Sequence, residues 1–243
     1  LSEIRKKNFR VANPHMARRA MEKVHAAIGR IMEEKQFKNI DEANAFLEKF
    51  IVGGRVPDVS PRTALEEAQD LMYSACEESS KKKRLMMARR ALDISADCAD
   101  AYVLLAEESA ENIREEKDFY ESGVRAGERA LGPAFFQENI GHFWGILETR
   151  PYMRARAGLA GCLWLLGERA EAIVHFQDML RLNPNDNQGL RYPLLGYLLE
   201  DGREREARDL MDRFPGDHSA AWIYTKALLK FKREGSNSKT DGR

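Results

Sequence analysis

The sequence predicts an all-α protein: an α-solenoid of helical-hairpin repeats, preceded by an N-terminal helical hairpin. Apolar residues recur at the three- and four-residue spacing of helices along most of the 243 residues. Glycine or proline interrupts that spacing at several predicted helix ends, although the first unit of the array lacks both at the expected places. The unit is clearest over 153–186, where two amphipathic runs meet at Gly167 and the second stops before Pro184.

Residues 1–59 are predicted to hold a basic arm and then the N-terminal hairpin. Asn13 followed by Pro14 is typical of a helix start, because asparagine caps free amides and proline suits the first turn. A second helix is predicted to open at Asp41 and to end at Gly53. The predicted apolar stripe of the first helix consists of Ala17, Met21, Val24, Ile28 and Ile31.

Residues 60–232 are predicted to form a tetratricopeptide-like array of roughly four hairpins. The first hairpin is predicted to open at Ser60, with Pro61 in its first turn. The second opens at Ala99 and is longer than a standard unit, the third is the stretch 153–186, and the fourth starts near Asn187. Each unit alone leaves an apolar face uncovered, so neighbouring units are expected to stack.

The end of the array is predicted to be closed by a capping helix over 218–232 that contains Trp222. Pro193 falls inside the first helix of the fourth unit as the pattern defines it, so a kink is expected there. Residues 233–243 are polar and are predicted to form a disordered tail.

An insertion at about 132–152 interrupts the array between the second and third units. It carries five aromatic side chains, among them Phe143 and Trp144 in the run GHFWG. So apolar a segment is unusual for a free loop, and burial against the array is the favoured interpretation. If the two aromatic side chains were exposed, they would instead form an anchor for a partner.

The stretch 153–186 resembles a tetratricopeptide repeat. The family usually has a tryptophan or another large residue at the position of Arg156 and a small residue at the position of Met179, so the stretch departs from the family pattern at both. The resemblance implies hairpins stacked into a right-handed superhelix that binds peptides or proteins on its concave side. The residues that match the family pattern are Leu159, Ala160, Leu163, Gly167, Ala172, Phe176, Leu180 and Pro184.

Two further phrases, 99–110 and 183–192, are similar to repeat proteins of the suppressor of tumorigenicity seven type and their bacterial relatives. That resemblance implies no particular chemistry, and it implies membrane association for the animal members. Here no apolar run approaches the roughly 18 residues that cross a bilayer. The three cysteines lack CxxC spacing, which is typical of reduced thiols. The sequence therefore predicts a cytoplasmic protein without a membrane span.

The repeat register predicts a binding groove on the concave face. Asn187, Gln188 and Arg191 could hold a peptide backbone or a carboxylate there, although turn formation is the favoured interpretation of that polar cluster. Chaperone-binding members of that family hold the terminal carboxylate of a chaperone tail with a set of lysine and asparagine side chains. Of the matching positions here only Arg154 carries a basic side chain, which disfavours chaperone tails as partners. The predicted groove residues are Glu107, Glu111, Arg154, Trp164, Asn187, Gln188 and Arg191.

Charge and motif content limit the alternatives. The chain has 39 basic and 39 acidic residues, so no net field attracts it to nucleic acid or an anionic membrane. The basic run 81–84 lacks interleaved aromatic residues, and the acidic run 107–116 lacks a histidine partner. We therefore predict no metal, no cofactor and no catalytic residue.

These observations predict a non-enzymatic adaptor that binds a protein or peptide on its concave groove, and they are compatible with a homodimer. Two alternatives stay open. One is an enzyme or small-ligand-binding protein whose site lies between the insertion and the groove. The other, which the composition disfavours, is a nucleic-acid accessory protein that uses the basic runs.

Overall fold

The computed structural model describes residues 14–35, 37–53 and 60–235, and in these residues it contains twelve α-helices and no strand. The prediction of an all-α chain is confirmed. Residues 1–13, which include the predicted basic arm, lie outside the described residues, as does 236–243 of the predicted tail 233–243; the start of that predicted tail is instead helical, because α12 continues to Glu234. In chain order the helices are α1 (Pro14–Glu34), α2 (Ile40–Gly53), α3 (Ala64–Glu77), α4 (Lys81–Ile94), α5 (Ala99–Ser109), α6 (Ile113–Leu131), α7 (Pro133–Glu138), α8 (Arg150–Leu165), α9 (Arg169–Leu182), α10 (Arg191–Glu200), α11 (Glu204–Arg213) and α12 (Ala220–Glu234).

Helices α3 to α11 form an α-solenoid. Four hairpins, α3–α4, α5–α6, α8–α9 and α10–α11, each pack against the next one along the chain. The second hairpin is longer than a standard unit, as predicted, because it contains the 19-residue helix α6. This arrangement confirms the predicted fold class, whereas the narrower tetratricopeptide assignment stays a prediction.

The third hairpin buries the residues that the pattern selected. Leu163, Ile173 and Leu180 are at most 1% exposed. Gly167 between the two helices has a φ of +86°, a conformation that only glycine adopts without strain. In the first hairpin Met86 is 63% exposed, because α4 turns Ala88 and Ala91 inward.

Two helix starts differ from the prediction because other polar side chains provide the caps. Helix α2 begins at Ile40 rather than Asp41, since Asn39 Oδ1 accepts the backbone N–H of Glu42 at 2.9 Å. Helix α3 is capped by Thr63 rather than Ser60, and the Thr63 hydroxyl oxygen accepts the backbone N–H of Glu66 at 3.1 Å.

The third and fourth hairpins also start at other residues than predicted. Helix α8 begins at Arg150, three residues before Met153, and α10 begins at Arg191 rather than near Asn187. As a result Pro193 lies in the first turn of α10. The first amides of a helix have no intrahelical acceptor, so this proline breaks no hydrogen bond and the predicted kink is not required.

The insertion ends at residue 149 and packs onto the array, as the favoured interpretation predicts. It consists of α7 and two short 3-10 turns, Phe143–Gly145 and Leu147–Thr149. Phe143 is 0% exposed, and its ring centroid lies 5.1 Å from that of Phe136 and 6.2 Å from that of Tyr152. Phe143 is therefore unavailable as a partner anchor.

The face that α1 buries shares only Ile31 with the described part of the predicted apolar stripe, and the side chain of Ala17 lies outside the described residues. Met21 is 57% exposed, and Val24 and Ile28 are only half-buried. The buried face lies beside that stripe and includes three charged residues, because α1 packs against charged side chains of the array. The α1 residues at most 9% exposed, among those whose side chains are described, are Arg19, Glu22, Ala27, Arg30 and Ile31.

Candidate functional site

Helix α1 lies across the first helices of three successive hairpins. Its side chains contact α3, α5 and α8, and it runs antiparallel to α3: Lys23 pairs with Glu77 near the end of α3, and Arg30 pairs with Asp70 closer to its start. We call the array surface that receives α1 the α1-binding face. The charged residues of this face that pair with α1 are Arg62, Glu66, Asp70, Glu77, Glu107, Arg150 and Arg154.

The first contact along α1 joins it to α5. Arg19 donates to Glu107 Oε1 at 3.1 Å, and the Arg19 side chain is 11% exposed while that of Glu107 is 43% exposed. Arg19 also lies against the Cys76 thiol on α3. Burial raises the pKa of Cys76 to about 11, although the charge of Arg19 acts in the opposite direction.

The second contact is a buried ion cluster centred on Arg154. Arg154 donates to Glu22 of α1 at 3.0 Å and to Asp100 of α5 at 2.6 Å. Arg150 also donates to Glu22, at 3.2 Å, and Gln69 Nε2 donates to Asp100 at 2.8 Å. Charged groups at this depth require such pairing, because an unpaired buried charge is very costly.

The electrostatics of this cluster favour the charged forms. Burial alone would raise the pKa of Asp100, but the charges of Arg154 and Arg19 outweigh it and hold that pKa below its ordinary value. Burial would likewise lower the pKa of Arg154, and Asp100 and Glu22 raise it instead. The cluster is therefore a fixed arrangement of opposite charges rather than a proton donor or acceptor.

The third contact joins the C-terminal half of α1 to α3. Arg30 makes a two-pronged pair with Asp70, at 2.7 and 2.8 Å, and its Nε lies 3.1 Å from Glu66. A two-pronged arginine–carboxylate pair fixes both position and orientation. These three contacts place basic, acidic and basic side chains of one helix against acidic, basic and acidic groups of the array, and two more exposed pairs, Lys23–Glu77 and Glu33–Arg62, add to them.

A cavity of about 310 Å³ borders the first two contacts. It brings together four of the predicted groove residues: Glu107, Arg154, Asn187 and Gln188. Gln188 Nε2 donates to the backbone carbonyl of Met153 at 3.4 Å, and its Oε1 is buried without a hydrogen-bond partner among the described residues. Part of the predicted groove thus exists as a cavity, and α1 forms one of its walls.

The structure places the other three predicted residues elsewhere. Glu111 is exposed in the turn between α5 and α6. The Trp164 ring stacks on Tyr197 of α10 with centroids 3.9 Å apart, so its packing joins two hairpins.

Arg191 belongs to a polar network at the start of α10. It donates to Asp217 at 2.7 Å and to Asp186 at 2.9 Å. Asp186 also accepts the backbone N–H of Leu190, at 2.6 Å, so the polar cluster around it forms a turn, as the favoured interpretation held. The network joins α10 to the turn before α12.

Sequence reasoning missed the side chains that complete the site. Tyr120 and Trp144 line the cavity, and Arg150 lies over the Trp144 ring at 5.4 Å. The charged face of α1 did carry a signal, because Arg19, Glu22 and Arg30 recur at helical spacing on one side of a helix. An apolar-only search overlooks such a face.

Two kinds of site are absent from the described residues. None of their helices is both long enough and apolar enough to cross a membrane. No cluster of three or more histidine, cysteine, aspartate or glutamate side chains suited to a metal ion occurs in that same part of the chain.

Comparison with known proteins gives one consistent result. The family model described as "ST7 protein" matches residues 60–240. The "Protein ST7 homolog" of Drosophila melanogaster is 29% identical over 175 residues, which cover 69% of this chain and 33% of the relative. The "Suppressor of tumorigenicity 7 protein-like" of Mus musculus is 30% identical over 173 residues, which cover 68% of this chain and 31% of the relative.

The chain thus spans about one third of the length of these relatives. The matched region begins at residue 60, so α1 and α2 lie outside it. No solved structure matches the chain.

Proposed function

Since the chain belongs to the ST7 protein family, we propose that it is a non-enzymatic scaffold that binds an α-helical segment of a partner protein on the α1-binding face. The membership agrees with the resemblance noted at 99–110 and 183–192. The family name specifies no activity, so the proposal depends on the geometry of the face.

The observation that carries the proposal is that the face already holds a helix. Helix α1 lies across α3, α5 and α8, and each of these three helices supplies at least one charged partner to it. A surface that orients one helix by charge at three points has the shape and the chemistry to hold another. Binding a helix in a groove is a common mode of peptide recognition.

Rigidity of the array supports the same role. The first helix of each hairpin is packed on both sides, and Ala101, Ala155 and Ala160 are completely buried at these contacts. A preformed surface loses little conformational entropy when a partner docks, so more of the interaction energy appears as affinity. The cavity beside Asn187 and Gln188 leaves room for partner side chains next to the first contact.

The state of the thiols supports a non-enzymatic assignment. Burial raises the pKa of both Cys98 and Cys162 to about 12. A nucleophilic cysteine requires a lowered pKa, because the thiolate is the reactive form. These residues therefore serve as small apolar core residues.

Selection from a display library of helical peptides with randomised charged positions tests the proposal. The bait is the whole chain carrying Arg19→Ala, Glu22→Ala and Arg30→Ala, which frees the face of α1; we call it the released chain. We expect it to enrich helical peptides. Those peptides should lose binding when Asp70→Lys and Glu107→Lys are added.

The matched control adds Asp93→Lys and Glu121→Lys, the same change of charge on the second helices α4 and α6. Binding should survive the control. Peptides that bind the face variant and the control variant equally would overturn the proposal, because their site would lie elsewhere on the array.

A further inference from the structure

We propose that the partner helix presents basic, acidic and basic residues at the spacing of Arg19, Glu22 and Arg30, and that α1 is the internal competitor that this helix displaces. The inference rests on the proposed function and goes beyond it by stating the chemistry of the partner. It also assigns α1 a role, that of an occupant of the face within the same chain.

The charges of the face define the pattern. Glu107 of α5 takes a cation, and one helical turn further along the bound helix Arg150 and Arg154 of α8 take an anion. Eight residues later, about 12 Å along a helix, Glu66 and Asp70 of α3 take a second cation. A helix with the opposite charges at these positions would meet like charges at all three contacts, which excludes it.

The composition of the α1 interface makes α1 displaceable. Ala27 and Ile31 are the buried apolar residues among the α1 side chains that are described, and both are small or medium in size. The larger apolar residues Met21 and Met32 are 57% and 38% exposed. Docking removes these charged groups from water, and that desolvation cost offsets much of their attraction, so the docked helix gains specificity from its charges more than strength.

The comparison with relatives points the same way. The family match begins at residue 60, so the face lies inside the matched region and α1 lies outside it. Helix α1 packs against α3 and the turn Leu147–Thr149, and its side chains pair with charged groups on the array, while the two apolar cores of the array consist of residues after residue 60. The array therefore keeps its own core when α1 leaves.

Cys76 reports whether α1 is docked. Its thiol lies on α3 against Arg19 and is only partly buried, whereas Cys98 and Cys162 are 0% and 2% exposed in the interior. We therefore expect release of α1 to expose Cys76 further and to leave Cys98 and Cys162 buried. Unfolding would expose all three thiols, so the two cases are distinguishable.

The first experiment uses a labelled peptide of residues 14–35 as the probe and fluorescence anisotropy as the readout. We expect the peptide to bind the released chain. If α1 is docked nine tenths of the time, the wild-type chain binds the same peptide about tenfold more weakly, because its face is mostly occupied. A peptide with Arg19→Glu and Glu22→Arg keeps two basic residues and one acidic residue at these three positions but in the wrong order, and it should not bind.

The second experiment measures alkylation of each thiol by mass spectrometry. Cys76 should react much faster in the released chain than in the wild-type chain, and the peptide should protect it again. Cys98 and Cys162 should stay unreactive throughout, which shows that the released chain is folded.

Equal binding of the two peptides, or equal affinity of the released and wild-type chains, would overturn the inference. So would a Cys76 rate that does not change on release. If library peptides without this charge order bind through Asp70 and Glu107, the proposed function holds and the inference alone fails. If no helical peptide depends on these two residues, both fail.

Discussion

Replacing Arg154 by methionine removes the central cation of the buried cluster while keeping most of the side-chain volume. Asp100 and Glu22 are 3% and 4% exposed, so two buried carboxylates lose a partner. Asp100 keeps its hydrogen bond from Gln69 at 2.8 Å, and Glu22 keeps the one from Arg150 at 3.2 Å. Removing one member of a buried ion pair costs about 3–5 kcal/mol, and the remaining donors place the expected loss near the lower value.

Urea unfolding followed by far-UV circular dichroism measures this loss as a free energy of unfolding. The comparison needs the wild-type chain, Arg154→Met, Asp100→Asn and the double variant. The double variant has no unpaired charge at position 100, so it should recover at least half of the loss and the two substitutions should be coupled. A single Arg154→Met variant that loses less than about 1 kcal/mol, the average for any substitution, would refute the reasoning. So would strictly additive losses.

Two further outcomes follow from the packing and the titration of the array. Gly158→Ala should lose about 1–3 kcal/mol of unfolding free energy, because its new methyl group would lie 2.3 Å from the Tyr120 ring. Gly161→Ala on the same helix should gain about 0.5–1 kcal/mol, because nothing lies within 4 Å of its new methyl group. Equal effects of the two substitutions in urea unfolding would contradict this reasoning. Burial and the charge of Arg156 hold the pKa of His175 below 6.5, so the folded chain binds fewer protons than the unfolded chain. The contribution of neutral His175 to the free energy of unfolding should be fully present above pH 6.5 and should be lost as the pH decreases below that value. A His175→Gln variant whose unfolding free energy has the same pH profile as the wild-type chain would contradict this.

The hairpin core could be predicted from the sequence because its physics is local. Leu163 and Leu180 each belong to an apolar series at helical spacing within one helix. Gly167 indicates the turn between the two helices, because glycine adopts the positive φ found there without strain. The starts of α8 and α10 could not be placed as well. Their first turns make no intrahelical hydrogen bonds, so apolar spacing carries little information about them.

The α1-binding face could be predicted only in part, because its contacts join distant parts of the chain. Repeat register alone located Glu107 and Arg154 correctly at the cavity. The pairing of Arg154 with Glu22 spans 132 residues and leaves no local pattern. The apolar stripe of α1 is the stronger local signal; it is correct at Ile31 and wrong at Met21, because the array receives the charged side chains beside the stripe.

The central claim is that the face recognises a helix through its charges, and a reciprocal charge exchange tests it most directly. The measurement is the affinity of the 14–35 peptide for the released chain, with Arg19→Glu in the peptide and Glu107→Arg in the chain. Each change alone should weaken binding, because two like charges then face each other, and the two together should restore it, since the pair at 3.1 Å is then re-formed with opposite polarity. Affinity that is unchanged by either substitution, or that the combination does not restore, would contradict the account.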